Sequence, residues 1–75
     1  MKKIINFRIF RGERYYVAEC LDLPIVTQGL TLDETVENIR EALNLHIEGE
    51  DLEAYDILPN PAISVNIDLG EFEYA

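Results

Sequence analysis

Residues 20–39, CLDLPIVTQGLTLDETVENI, join the end of one strand-like segment to the start of a helix, and the element order of the whole chain hinges on that junction. Pro24 has no amide to donate, which suits the first residue of an edge strand, and IVTQ after it reads as a short third strand closed by Gly29. Thr31 stands three residues before Glu34. In this capping-box spacing the Thr hydroxyl accepts from the amide of the third helical residue while the Glu reaches back. A helix therefore opens at Leu32. Leu32, Val36, Ile39, Leu43 and Ile47 then recur as one stripe of a 3.6-residue period, and Gly49 is placed to stop it. At about 1.5 Å per residue the helix is roughly 25 Å long, enough to cover a small sheet.

Upstream, residues 3–10 (KIINFRIF) set Ile5, Phe7 and Ile9 on one face and Asn6 and Arg8 on the other, as a half-buried strand does. RGER is a polar turn with a glycine, and YYVAEC resumes with β-favouring residues, so residues 3–20 read as a hairpin. Downstream, EGEDLEAYD is an acidic connector. PNP then introduces AISVNIDL, residues 62–69, where Ile63, Val65, Ile67 and Leu69 alternate with Ser64, Asn66 and Asp68. The expected class is α+β in the order β-β-β-α-β: a small mixed sheet with one helix packed on one face, and a last strand running in the direction of the third. Periodicity leaves open whether that strand joins beside strand three or beside strand one. The second face of the sheet has no helix to cover it, so it is expected to meet water or a second copy.

Residues 1–75 make a single domain, and a chain this short buries only about 60% of the surface its unfolded form exposes. A thin core and help from oligomerisation are expected. Cys20 is the only cysteine and cannot pair within the chain, which fits a reducing compartment; nothing in the sequence resembles a targeting segment, and no long apolar run occurs. The expected setting is the cytoplasm, in soluble form and away from membranes. The net charge of −9 is unevenly spread: of the 6 Lys/Arg only Arg40 follows residue 15, and of the 15 carboxylates only Glu13 precedes Val17. Most of the chain should repel a phosphate backbone and attract cationic surfaces.

Residues that could carry catalysis are few. Cys20 ends a strand with no histidine near it in sequence, and it reads as a structural thiol rather than a nucleophile. His46, the one histidine, lies about 20° from Ile39 on the helical wheel, where a partly buried packing role fits best. One Cys and one His lack metal-site spacings, and neither a phosphate loop nor a serine elbow occurs. No enzyme activity, metal or cofactor is expected. The unusual feature is the outer side of the helix, where Glu34, Glu37, Glu41 and Glu48 surround Leu45. Like charges three or four residues apart cost the helix a few tenths of a kcal/mol each, which a cationic partner would offset; the plainer reading is a solvated face. Phe72 and Tyr74 place aromatics in an acidic tail, available to the domain itself or to a partner. The basic cluster Arg8, Arg11 and Arg14 suits acids of this chain or of a second copy better than nucleic acid.

Residues 15–48, YYVAECLDLPIVTQGLTLDETVENIREALNLHIE, resemble the signature of the HicB family of antitoxins: a strand, a Cys-x-Asp-Leu-Pro turn, Thr-Gln-Gly, then Thr-Leu-Asp-Glu opening a helix. The hairpin before and the strand after match the family's order as well. Leu21 and Ile25 depart from it, standing where relatives often carry Pro and Gly. The resemblance implies a partial RNase H-like fold with strand four beside strand one and without nuclease chemistry; strands one to three offer only Glu19, where a two-metal nuclease needs several carboxylates. It also implies the function: an antitoxin of a type II toxin-antitoxin system, binding a small basic HicA-type toxin that cleaves mRNA. On that reading Glu34, Glu37, Glu41, Leu45, Glu48, Phe72 and Tyr74 are the expected contacts, in a dimer or higher homo-oligomer. Many relatives add a DNA-binding domain, for which this chain has no room, so no specific DNA binding by the chain alone is expected. The alternative is an orphan module of the same fold that self-associates or binds a different protein.

Overall fold

The order of elements is β1 (Lys2–Arg11), β2 (Tyr16–Cys20), β3 (Val26–Gly29), α1 (Leu32–Glu48), a single 3-10 turn (Leu52–Tyr55) and β4 (Ile57–Ile67). The computed structural model describes residues 2–48 and 52–72. One four-stranded sheet in the order β3-β2-β1-β4 has α1 against one face. β1, β2 and β3 form an antiparallel meander, and β4 runs parallel to β1. The α+β class and the β-β-β-α-β order are those of the sequence reading. α1 carries the chain from the β3 edge to the far edge, which decides what periodicity left open: β4 lies beside β1.

β4 departs most from its expected bounds, starting at Ile57 rather than residue 62 and ending at Ile67 rather than 69. Pro59 and Pro61, expected to introduce the strand, lie inside it. An edge strand turns alternate amides away from the sheet, so a proline there need not break the ladder. The surplus residues between the Lys2–Ile57 and Ile4–Ala62 pairs bulge, with Asn60 at φ 55°, a left-handed conformation that Asn tolerates better than most residues. The expected acidic connector contains the 3-10 turn, and Leu69 lies past the strand, 89% exposed.

Ile5, Phe7 and Ile9 of β1 are fully buried, as their alternation predicts, together with Ala18 and Ile57 and against Ile39 and Leu43 of α1. Leu32, Val36 and Ile47 of the apolar stripe are half-buried. Thr35, outside that stripe, is fully buried. Its hydroxyl donates to the Thr31 carbonyl at 2.7 Å, so its burial leaves no unmet donor. Facing it is Gly29, the last residue of β3. A Cβ at position 29 would lie 2.5 Å from Thr35 Oγ1, 2.7 Å from its amide nitrogen and 2.9 Å from its Cα. The glycine is thus a contact surface for the helix as well as the end of a strand.

The LDLP loop folds on itself: the Cys20 amide donates to the Ile25 carbonyl at 2.9 Å, and the Leu23 amide to the Cys20 sulfur at 3.3 Å. Asp22 is thereby aimed at β1, just past the last β1–β2 pair, Phe7–Cys20. Its carboxylate, 7% exposed, accepts from the Asn6 amide at 2.7 Å and from the Lys2 ammonium at 2.6 Å. Lys2 first, then the Asn6 amide, hold the Asp22 carboxyl below the usual aspartate range. A depressed native value means the folded state binds fewer protons, so the stabilisation is complete above the unfolded value of about 3.9 and disappears as pH falls through the native one.

Gly29→Ala must shift helix backbone, not a flexible side-chain tip, and is expected to cost about 1–3 kcal/mol or more in urea unfolding. An unchanged midpoint would show that the strand and helix can separate freely. Asp22→Ala is expected to cost about 1–3 kcal/mol at neutral pH, where it orphans the Asn6 amide, and to differ less from the parent below about pH 4. A gap of constant size down to acid pH would place its origin outside the carboxylate's charge.

Candidate functional site

The outer side of α1 is set by its seat on the sheet. The Glu34 amide donates to Thr31 Oγ1 at 3.0 Å, one half of the capping box expected from the spacing, while among the described residues the Glu34 carboxylate makes no return bond; Asn38 Nδ2 donates to the Gln28 carbonyl at 2.7 Å, tying the helix to β3. With Ile39 and Leu43 turned into the core, Glu34, Glu37, Glu41, Leu45 and Glu48 all emerge exposed along the opposite side. Glu34 lies in the first turn, where the helix dipole favours a carboxylate; Glu48 lies in the last, where it does not. Among the described residues no ridge carboxylate joins an ion pair. The pairs that form are Lys2–Asp22, Arg8–Glu19 and Arg8–Asp68, all away from the helix.

Leu45 is 72% exposed, and with Ala42 and His46 it faces Pro24, Ile25 and Val26 across a shallow hollow of about 380 Å³. Val26 is 70% exposed. An apolar hollow beside a row of carboxylates resembles a protein interface, with a water-excluding centre and a charged rim. Sequence reasoning found Leu45 but not Pro24 or Val26. They belong to another element, and only the packing of α1 on β3 brings them alongside.

Phe72 is 86% exposed, and Tyr74 lies outside the described residues. β4 leads toward the start of α1: Ile67 and Leu69 share a cleft with Leu32, Arg11 and Tyr16. The expected contact set therefore divides. Leu45 and Glu48 stand with the hollow at one end of the helix, and Glu34 stands at the other, where the chain departs toward Phe72.

The other candidates have structural roles. Cys20, half-buried on the core side, accepts the Leu23 amide. His46 is half-buried with its ring 5.9 Å from that of Tyr55, and its Nε2 is buried without a hydrogen-bond partner among the described residues. Glu19 faces the Arg8 guanidinium at 3.1 Å, and Asp68 faces it at 3.2 Å. Arg8 also lies 4.6 Å over the Phe10 ring. The Gly70 amide, then Arg8, hold the Asp68 carboxyl below its usual range. Arg11 donates to the Tyr16 hydroxyl at 3.1 Å. Two members of the basic cluster are thus engaged within the chain. Among the described residues no group of three His, Cys, Asp or Glu is placed to hold a metal ion, and no helix is long and apolar enough to cross a membrane.

No family model matches the chain, and neither a curated protein nor a solved structure is detectably similar to it.

Because Leu45 projects into solvent, Leu45→Ala is expected to leave stability within about 0.5 kcal/mol of the parent in chemical denaturation, which frees the variant for use in binding assays. A loss of 2 kcal/mol or more, the scale of a buried leucine, would make it a core residue.

Proposed function

We propose that this chain is an antitoxin of the HicB type, which neutralises a small basic, mRNA-cleaving toxin of the HicA type by occupying the surface that would hold RNA phosphates. The observation that carries the reading is the exposed ridge of Glu34, Glu37, Glu41 and Glu48, free of ion pairs among the described residues, with Leu45 and its hollow beside it. Side chains three and four residues apart on a helix lie about 5–6 Å apart at Cβ, so the ridge offers a rigid row of negative charge to a cationic surface. Charge complementarity of this kind speeds encounter and selects the partner, while Leu45, Pro24 and Val26 supply apolar area to exclude water. The motif of residues 15–48 supports the same reading independently of charge. The cytoplasm, where Cys20 stays reduced, is the setting proposed for it.

The test starts with a pull-down of the tagged chain from its native lysate at moderate salt. Recovery of a small basic protein with a double-stranded-RNA-binding-domain sequence pattern is the expected outcome; recovery of the chain alone opposes the reading. Changing Glu34, Glu37, Glu41 and Glu48 to Lys is expected to weaken binding to that protein at least tenfold, with most of the difference removed by high salt. Unchanged affinity would take the ridge out of the interface. A second reading, an orphan module that self-associates without a toxin, is favoured by the open edge of β4, and the lysate experiment separates the two.

A further inference from the structure

Among the described residues no strand pairs with the outer edge of β4, and its helix-side residues are only partly covered. Ile63, Val65 and Ile67 pair with Ile5, Phe7 and Ile9 and so share the helix-side face, yet Ile63 is 36% and Ile67 47% exposed. Ile63 and Val65 line a groove of about 270 Å³ with Val36, Ile39 and Arg40. The Asp68 amide donates to the Ile9 carbonyl at 2.8 Å. By strand alternation the even-numbered residues 62–68 turn their amides to β1, and Ile63, Val65 and Ile67 turn theirs to the open side.

Open edges are ordinarily guarded by charges, prolines or bulges. Here the guards stop short. Pro59, Pro61 and the bulge protect the first half of β4, and Asp68 follows its end. Ile57–Ile67 contains no Asp, Glu, Lys or Arg, in a chain with 15 acidic and 6 basic residues. Two copies each of net charge −9 repel over most of their surfaces, and of the two edge strands, both without charges, β4 is the longer, 11 residues against the 4 of β3, whose Gln28 carbonyl is already taken by Asn38.

We infer that Ile63–Ile67 is an interface between two copies of this chain, paired antiparallel about a two-fold axis through Val65 so that the two sheets become one of eight strands. The sequence is self-complementary about that residue. Val65 meets Val65 of the second copy and Ile63 meets Ile67 on the helix side, while Ser64 meets Asn66 on the other. The residues with outward amides, 63, 65 and 67, are those this register needs as hydrogen-bonded pairs. Moving the axis one residue later brings Asp68 and Leu69, which lie outside the strand, into the ladder; moving it one earlier brings in Pro61, which has no amide. With the axis perpendicular to the sheet, both helices lie on the same face and the two grooves meet, so that Ile63 of each copy covers Ile67 of the other.

The inference is independent of the toxin-binding reading and is tested on the full chain alone. Sedimentation over a wide concentration range is expected to give the mass of two chains for the parent and of one chain for the Ile63→Lys, Ile67→Lys double variant, with far-ultraviolet circular dichroism unchanged. In a Cys20→Ser background, Val65→Cys is expected to oxidise to a covalent dimer, because hydrogen-bonded antiparallel partners have Cα atoms about 5.5 Å apart, within disulfide reach. A parent of single-chain mass throughout would overturn the interface. So would a dimer that survives both lysines, or one dissociated instead by Ile4→Lys on the opposite face. Failure of Val65→Cys to cross-link while the dimer persists would overturn the register.

Discussion

The close seating of the first turn of α1 on the end of β3 is the constraint on which the rest of the structure depends. Gly29 leaves no room for a side chain between strand and helix, Thr35 fills the contact and satisfies its hydroxyl on the Thr31 carbonyl, and Thr31 caps the same turn. Asn38 adds a bond to the strand one turn further on. With the helix axis fixed over β3 and β2, its rotation is fixed by Ile39 and Leu43 entering the core, and the acidic ridge has nowhere to point but outward.

The same seating explains what stays open. A helix about 10 Å across spans roughly two strands set about 4.8 Å apart, so one helix cannot cover a four-stranded sheet. α1 sits toward the β3 edge, and the cover thins toward β4, where Ile63 and Ile67 are partly exposed. The LDLP loop does on the other side of β1 what a further strand residue would do. Asp22 takes the Asn6 amide where the β1–β2 ladder ends, and Lys2 balances its charge.

The molecule thus presents two surfaces of opposite character. One is a charged helix face beside a small apolar hollow, the face proposed for a cationic protein; the other is an uncharged strand edge, the one proposed for a second copy. The first lies on the outer side of α1 and in the hollow toward β3, the second along β4 and the groove between β4 and α1. Of the basic residues of the first hairpin, Lys2 is held by Asp22, Arg8 by Glu19 and Asp68, and Arg11 by Tyr16.

The helix and its cap, the alternating core face of β1 and the acidic ridge were legible in the sequence, because each follows from spacing within a single element. Leu32–Glu48 was placed by the Thr31 cap and the apolar stripe, and the exposure of Glu34, Glu37, Glu41, Leu45 and Glu48 followed from the same period. Neither the early start of β4 nor the burial of Thr35 was legible. Prolines and a buried hydroxyl are acceptable only where a strand has an open edge or a carbonyl waits, and both conditions are set by other parts of the chain. Pairing of β4 with β1, the gathering of Pro24 and Val26 beside Leu45, and the parting of that hollow from the segment leading to Phe72 were likewise decided only by the tertiary structure. Periodicity reports which way a residue faces on its own element, whereas neighbours from distant segments are fixed by how far one helix can reach across a sheet.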